Sequence, residues 1–197
     1  ETLGLAWQLT GASGADDLVL KHTAGERAWL ITTTDGVRAA DDLPTGGAGL
    51  KVTRTYRDAN GQPLDLSHHT LGDRVFVDVV LENTGKSKVQ NIALVDRVPA
   101  GWELDNPRLG GAGLPEWADK SGLWDVEHLN VRDDRVELFG ELGGGKKGRV
   151  IFAVRAVTAG SFLIPEVRAE AMYDPGTWAR ETGEVIEIHG PWEQFLL

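Results

Sequence analysis

The sequence contains no cysteine in 197 residues, which excludes disulfides, thiolate metal sites and a cysteine nucleophile. That absence does not fix a compartment, because many proteins of oxidising compartments also lack cysteine. Positive charge is in short supply: 20 Lys and Arg face 30 Asp and Glu, for a net charge of −10. Nucleic-acid binding needs clustered cations to neutralise phosphates, and the one basic run, Lys146–Lys147, is too short for a stripe. No apolar run approaches the ~18–20 residues of a membrane-spanning helix, so no direct membrane insertion is expected. No basic leader or cleavage site precedes Leu3–Trp7, as expected of a mature or excised piece. A 3.6-residue apolar period is almost missing, with weak helical character only at 115–121.

What is present is strand and turn. Strand signals fall at 3–9, 17–21 and 27–33, then at 50–57, 73–82, 89–98, 124–131, 135–142, 149–157, 162–172 and 184–189. In 73–82 the alternation places Val75, Val77, Val79 and Leu81 on one face. Between the first three and the rest lies Ala39–Gly49, rich in small residues and the best candidate linker. Residues 105–123 form a long loop rich in Gly and Pro. Many short strands with turn punctuation predict an all-β antiparallel sandwich over 49–189.

Each candidate for chemistry has a plainer reading. Gly140–Lys147 approaches a phosphate loop, but Lys147 stands where Ser or Thr would hold magnesium, and a strand follows instead of a helix. It reads as a hairpin tip. His68 and His69 are neighbours on extended chain and point apart, so they read as a solvated pair and not as metal ligands. Asp58–Gly61 lacks the spacing of a calcium loop and reads as an Asn-Gly turn. Ser13 lacks a nucleophile elbow. Glu137 and Glu141 share a strand face but stand too far apart to be raised above background as an acid pair. Asp96–Arg97 and Arg132–Arg135 read as pairs that pin strand ends and a turn. Trp102 reads as a loop anchor, and Trp117 and Trp178 as candidates for exposed contacts. No metal or organic cofactor is implied.

Residues 155–175 carry the most specific wording. They read as a strand, a turn at Ala159–Gly160, and a second strand that brings Met172 and Tyr173 to a stop at Asp174–Pro175. The residues alone leave two readings of Met172–Tyr173: one side chain fills the core, or the pair faces outward. With Gly49–Arg57, Val95–Glu103 and Val131–Val136, this segment resembles the last macroglobulin-type domain of the bacterial alpha-2-macroglobulins, periplasmic protease inhibitors. The segments lie in the family's order and cover most of 49–189.

The resemblance implies a non-catalytic chain. Residues 1–46 would be the second half of a CUB-like β domain, 47–190 a macroglobulin-type (immunoglobulin-like) sandwich, and 191–197 an apolar tail. The expected partners are the thioester domain and the other macroglobulin domains of a longer parent, and through the parent its target proteases. A class A penicillin-binding protein is also implied, and so is a periplasmic parent lipid-anchored to the inner membrane. Met172, Tyr173, Asp174 and Pro175 would pack over the thioester and shield it until bait cleavage. Since the thioester needs a Cys and a Gln of another domain, no covalent trapping can originate here. The alternative is an Ig-like adhesive module of a bacterial cell-surface protein, suggested by residues 77–102.

Overall fold

The computed structural model describes residues 45–105, 114–118 and 122–191; the expected strands before residue 34, Ser13, nearly all of the CUB-like segment and the tail after Pro191 lie outside them. The described residues form thirteen strands and no helix, so no helix among them is long and apolar enough to cross a membrane. The part of 115–121 that is described makes only a turn, closed by Ala118 N–H donating to the Pro115 carbonyl at 2.9 Å.

Two antiparallel sheets face each other. One holds β2 (Leu50–Arg57), β4 (Arg74–Asn83), β9 (Lys147–Ala156) and β6 (Trp102–Leu104), neighbours in that order. The other holds β1 (Gly46–Ala48), β12 (Asp174–Glu181), β11 (Val167–Ala171), β5 (Val89–Arg97), β8 (Arg135–Leu142) and β7 (His128–Val131). A third, smaller sheet places β13 (Val185–His189) between β10 (Gly160–Leu163) and β3 (His69–Thr70), which runs parallel to it.

The core follows from period-two alternation. Val75, Val77, Val79 and Leu81 of β4 are buried as the alternation predicts, opposite Ile92 and Leu94 of β5, Val136 and Leu138 of β8, and Val167 and Ala169 of β11. Full burial of each Val, Leu or Ile contributes roughly 1.5–3 kcal/mol. The second face of β4 is covered too. Phe76 meets Trp117 edge-on, ring centroids 5.7 Å apart, and Asp78 takes Arg149 at 2.7 Å and Arg57 at 3.1 Å. Burial alone would raise the Asp78 pKa, but hydrogen bonds from the two guanidiniums outweigh it and hold the carboxyl below its usual range.

One buried ion pair ties the sheets together. Arg54 of β2 and Asp96 of β5 meet at 2.5 Å with almost no exposure, and Arg54 Nη2 also donates to the Pro165 carbonyl at 2.7 Å. Asp96 therefore pairs across the sandwich and not with Arg97. Asp96 Oδ2 has no hydrogen-bond partner, so burial pushes its carboxyl up to about 6 against the pull of Arg54. Arg54 is held further in its charged form: desolvation is the largest single influence on it, but the charge and hydrogen bond of Asp96 together with Tyr56 and Glu181 outweigh it.

The strands around 155–175 differ from the sequence expectation. The turn at Ala159–Gly160 does not close a hairpin: β9, β10 and β11 belong to three different sheets. Gly160, at φ +139°, and Pro165, which has no N–H to give a ladder, break the run twice. Nor does Asp174–Pro175 stop the chain, since β12 begins there. The end of the proposed linker is likewise a strand. Glycine at position 47 allows close approach, because a side chain there would run into the carbonyls of Leu50 and Trp178.

Candidate functional site

The tip between β11 and β12 is a two-residue connection. Ala171 pairs with Asp174, which leaves Met172 and Tyr173 as the turn itself. Neither residue has positive φ, so the turn is not the mirror-image type that matches strand twist. The mismatch is absorbed next door: Glu170 pairs with Trp178, and the register skips Pro175, Gly176 and Thr177. Asp174 fastens this bulge, Oδ1 accepting from Gly176 N–H at 3.2 Å and Oδ2 from the Thr177 hydroxyl at 2.6 Å. Pro175 falls within the skipped stretch, so its missing N–H costs no ladder bond there. On the other side, Met172 N–H donates to the Asn91 carbonyl at 2.9 Å. Asn91 itself, at φ +52°, sits in a bulge of β5 between Val89 and Ile92.

Both bulky side chains point out: Met172 is 45% exposed and Tyr173 82%. The reading in which one of them fills the core does not hold. Their own domain gains little from them, whereas covering a large side chain contributes roughly 1.5–3 kcal/mol from apolar area. Asp174 and Pro175 are exposed as well, and Asp174 acts by stiffening the tip.

The β4–β5 and β8–β9 loops lie at the same end. Fully buried Asn83 joins them, its Nδ2 donating to the carbonyls of Ser87 at 2.8 Å and Leu142 at 2.9 Å. Gly145 N–H donates to the Gly85 carbonyl at 2.9 Å, and Gly144 leaves no room for a side chain beside the Lys86 carbonyl. Gly140–Lys147 is neither a phosphate loop nor the expected hairpin tip: β8 and β9 belong to different sheets, and the segment carries the chain from one sheet across to the other.

The remaining candidates are structural. Asp58 Oδ1 accepts from Asn60 N–H at 2.9 Å and Gln62 N–H at 2.8 Å, which makes the tight turn, with Gly61 at φ +82°. His68 is solvated, but His69 is not. It is buried, and its Nε2 accepts from the Trp102 indole N–H at 3.0 Å. Burial lowers the His69 pKa and keeps the ring neutral, in the tautomer that this bond requires. Trp102 anchors its loop, as expected. Trp117 and Trp178 are half-buried, packed on Phe76 and under Arg180 respectively, and neither is a free contact. Glu137 pairs with Arg135 and Glu141 with Lys88.

One grouping that sequence reasoning missed is Asp65, Ser67 and His68. Ser67 Oγ lies 2.6 Å from Asp65 Oδ1 and 2.8 Å from His68 Nδ1, and that same Nδ1 lies 3.0 Å from Asp65. A hydrolytic triad needs serine and carboxylate on opposite ring nitrogens. Here both share one, on open surface. Hydrogen bonds from the Ser67 hydroxyl and N–H hold the Asp65 carboxyl down to about 2, which suits a turn cap. Among the described residues no cluster of three or more His, Asp or Glu could hold a metal.

Comparison with known proteins agrees with this architecture. The family model for the Bacterial Alpha-2-macroglobulin MG10 domain matches residues 49–176, a span that ends one residue past Pro175. An alpha-2-macroglobulin of Rickettsia conorii is 33% identical over 134 residues, 67% of this chain and 7% of that protein. One of Escherichia coli is 28% identical over 201 residues, 93% of this chain and 12% of that protein. The crystal structure of native Escherichia coli alpha-2-macroglobulin from domain MG7 to the C-terminus superposes with a TM-score of 0.67 at 23% identity. That match covers 75% of this chain and 24% of the other, and it shows the shared fold. The chain therefore spans about a tenth of the length of these curated relatives.

Proposed function

The chain belongs to the bacterial alpha-2-macroglobulin family, and from that premise we propose that its sandwich is a non-catalytic docking domain whose Met172–Tyr173 tip closes over the thioester of a neighbouring domain. The observation that carries this is the tip: a methionine and a tyrosine held out on a braced turn, neither of them part of the core of their own sandwich. A thioester hydrolyses when wet, and an aromatic ring beside a soft thioether makes an adaptable apolar cover. Bait cleavage elsewhere in the parent would release the contact, which makes the tip half of a two-state element. The reading extends to a periplasmic, lipid-anchored parent that meets its target proteases through the bait region, alongside a class A penicillin-binding protein. The adhesive alternative draws no support from the match over 49–176.

The test is Met172→Ala/Tyr173→Ala in the full-length parent, with methylamine consumption by the thioester as readout. Loss of such a contact costs on the order of 1–3 kcal/mol, a several-fold to hundredfold faster reaction. The same pair of substitutions should shift the stability of the sandwich by no more than about 0.5 kcal/mol, since both positions are exposed. Equal methylamine rates in parent and variant overturn the proposal.

A further inference from the structure

The described lysines are Lys51, Lys86, Lys88, Lys146 and Lys147, and all five lie at the end of the sandwich that carries Met172 and Tyr173. Strand register fixes this. Lys51 and Lys147 flank Glu82 on β2 and β9, and the Lys86–Lys88 and Lys146–Lys147 loops close on each other through Asn83 and Gly145. Lys88 leads into β5, the strand beside β11. With Met172 level with Asn91, strand spacing and rise put Lys88 within about 10 Å of the tip.

Acids share this end as well, among them Glu170, which pairs with Arg168, and exposed Asp125 beside Gly140. Glu82 is engaged by Lys147 at 3.1 Å, Glu141 by Lys88, and Asp174 by its own turn. Lys86 and Lys146 are exposed and have no ion-pair partner among the described residues. In a chain of net charge −10, two exposed cations without an ion-pair partner among the described residues therefore stand at the end that carries the apolar knob.

We infer that this end is a two-part docking surface, in which Met172–Tyr173 supplies the apolar contact and Lys86, Lys88 and Lys146 form a cationic collar for an acidic face on the domain that the tip covers. The inference rests on the docking reading above and adds the chemistry of the partner. Charge complementarity around an apolar contact steers the encounter and fixes its register, at a strength that depends on salt. A polyanion such as nucleic acid fits less well, because Glu82 and Glu141 lie inside the patch and neutralise two of its cations.

Two measurements on the full-length parent test it. Amine-reactive labelling read by mass spectrometry should find Lys86 and Lys146 protected before bait cleavage and reactive after it. Lys86→Glu/Lys146→Glu should raise the methylamine rate about tenfold at low salt, and the excess should fade toward 1 M salt. Lysines equally reactive before and after cleavage overturn the collar. So does protection that persists after cleavage, as a bound polyanion would give. If the lysines are protected while Met172→Ala/Tyr173→Ala leaves the methylamine rate unchanged, the collar stands and the thioester cover falls. If the alanine variant opens the thioester and the lysines are unprotected, the reverse holds.

Discussion

Replacing Arg54 with methionine should produce a stability deficit that grows with pH. Asp96 is buried with one oxygen free, and Arg54 is the charge that favours its ionisation. In the native chain the carboxyl titrates near 6, above its unfolded value, so its contribution is full at low pH and declines as pH rises toward 6. Without Arg54 the folded pKa climbs further, and the decline continues past 6. Relative to the native chain, Arg54→Met should therefore lose an additional ~1.4 kcal/mol per pH unit above 6, on top of a constant packing term. Between pH 6 and 8 that amounts to roughly 3 kcal/mol. Asp96→Asn removes the titrating group, so the double variant Arg54→Met/Asp96→Asn should show a deficit independent of pH above 6. Urea unfolding of all four proteins at pH 5, 6, 7 and 8 measures this. A deficit for Arg54→Met that is equal at pH 5 and 8, or a double variant with the same slope as the single, refutes the argument.

Four further outcomes are expected. Gly144→Ala should cost about 1–3 kcal/mol in urea unfolding, because the new methyl group meets the Lys86 carbonyl and forces the joined loops apart. Gly145→Ala, at φ +65° in open space, should cost about 1 kcal/mol and leave those loops in place. Trp102→Phe should cost about 1–3 kcal/mol by leaving His69 Nε2 buried without a donor. His69 is depressed by burial, so its contribution should be lost as pH falls through about 6.5, and His69→Asn should remove that part of the acid sensitivity.

The core was legible where alternation is clean: Val75, Val77, Val79 and Leu81 on one face predict the buried side of β4. Where glycine or proline serves strand geometry, the same residues read as punctuation. Gly46–Ala48 looked like linker because close packing and flexibility both call for residues without bulk. β12 was missed because Pro175 and Gly176 open it, and nothing local shows that the register skips them. The buried Arg54–Asp96 pair did leave a signal. Arg54 follows Val52 and Asp96 follows Leu94 at inward parity, so a charged residue stands in a core position on each of two strands. At the site, Met172 and Tyr173 could be singled out only through the resemblance. Their joint exposure depends on the turn type and the bulge, neither of which composition records.

The bulge at Pro175–Thr177 also decides how this molecule can be held. Beyond the three pairs made by β1, the outer margin of the six-stranded sheet is Pro175 and its neighbours, which match no partner's register and include a residue without an N–H. A continuous ladder of backbone bonds could not extend across that margin, so another chain cannot add itself as a further strand at the tip. On the docking reading proposed above, a partner would meet Met172 and Tyr173 without a backbone ladder. A zippered backbone would be slow to part, whereas a patch of ring, thioether and ammonium groups separates when the geometry around it changes. On that reading, the irregularity that spoils the strand would keep the contact reversible.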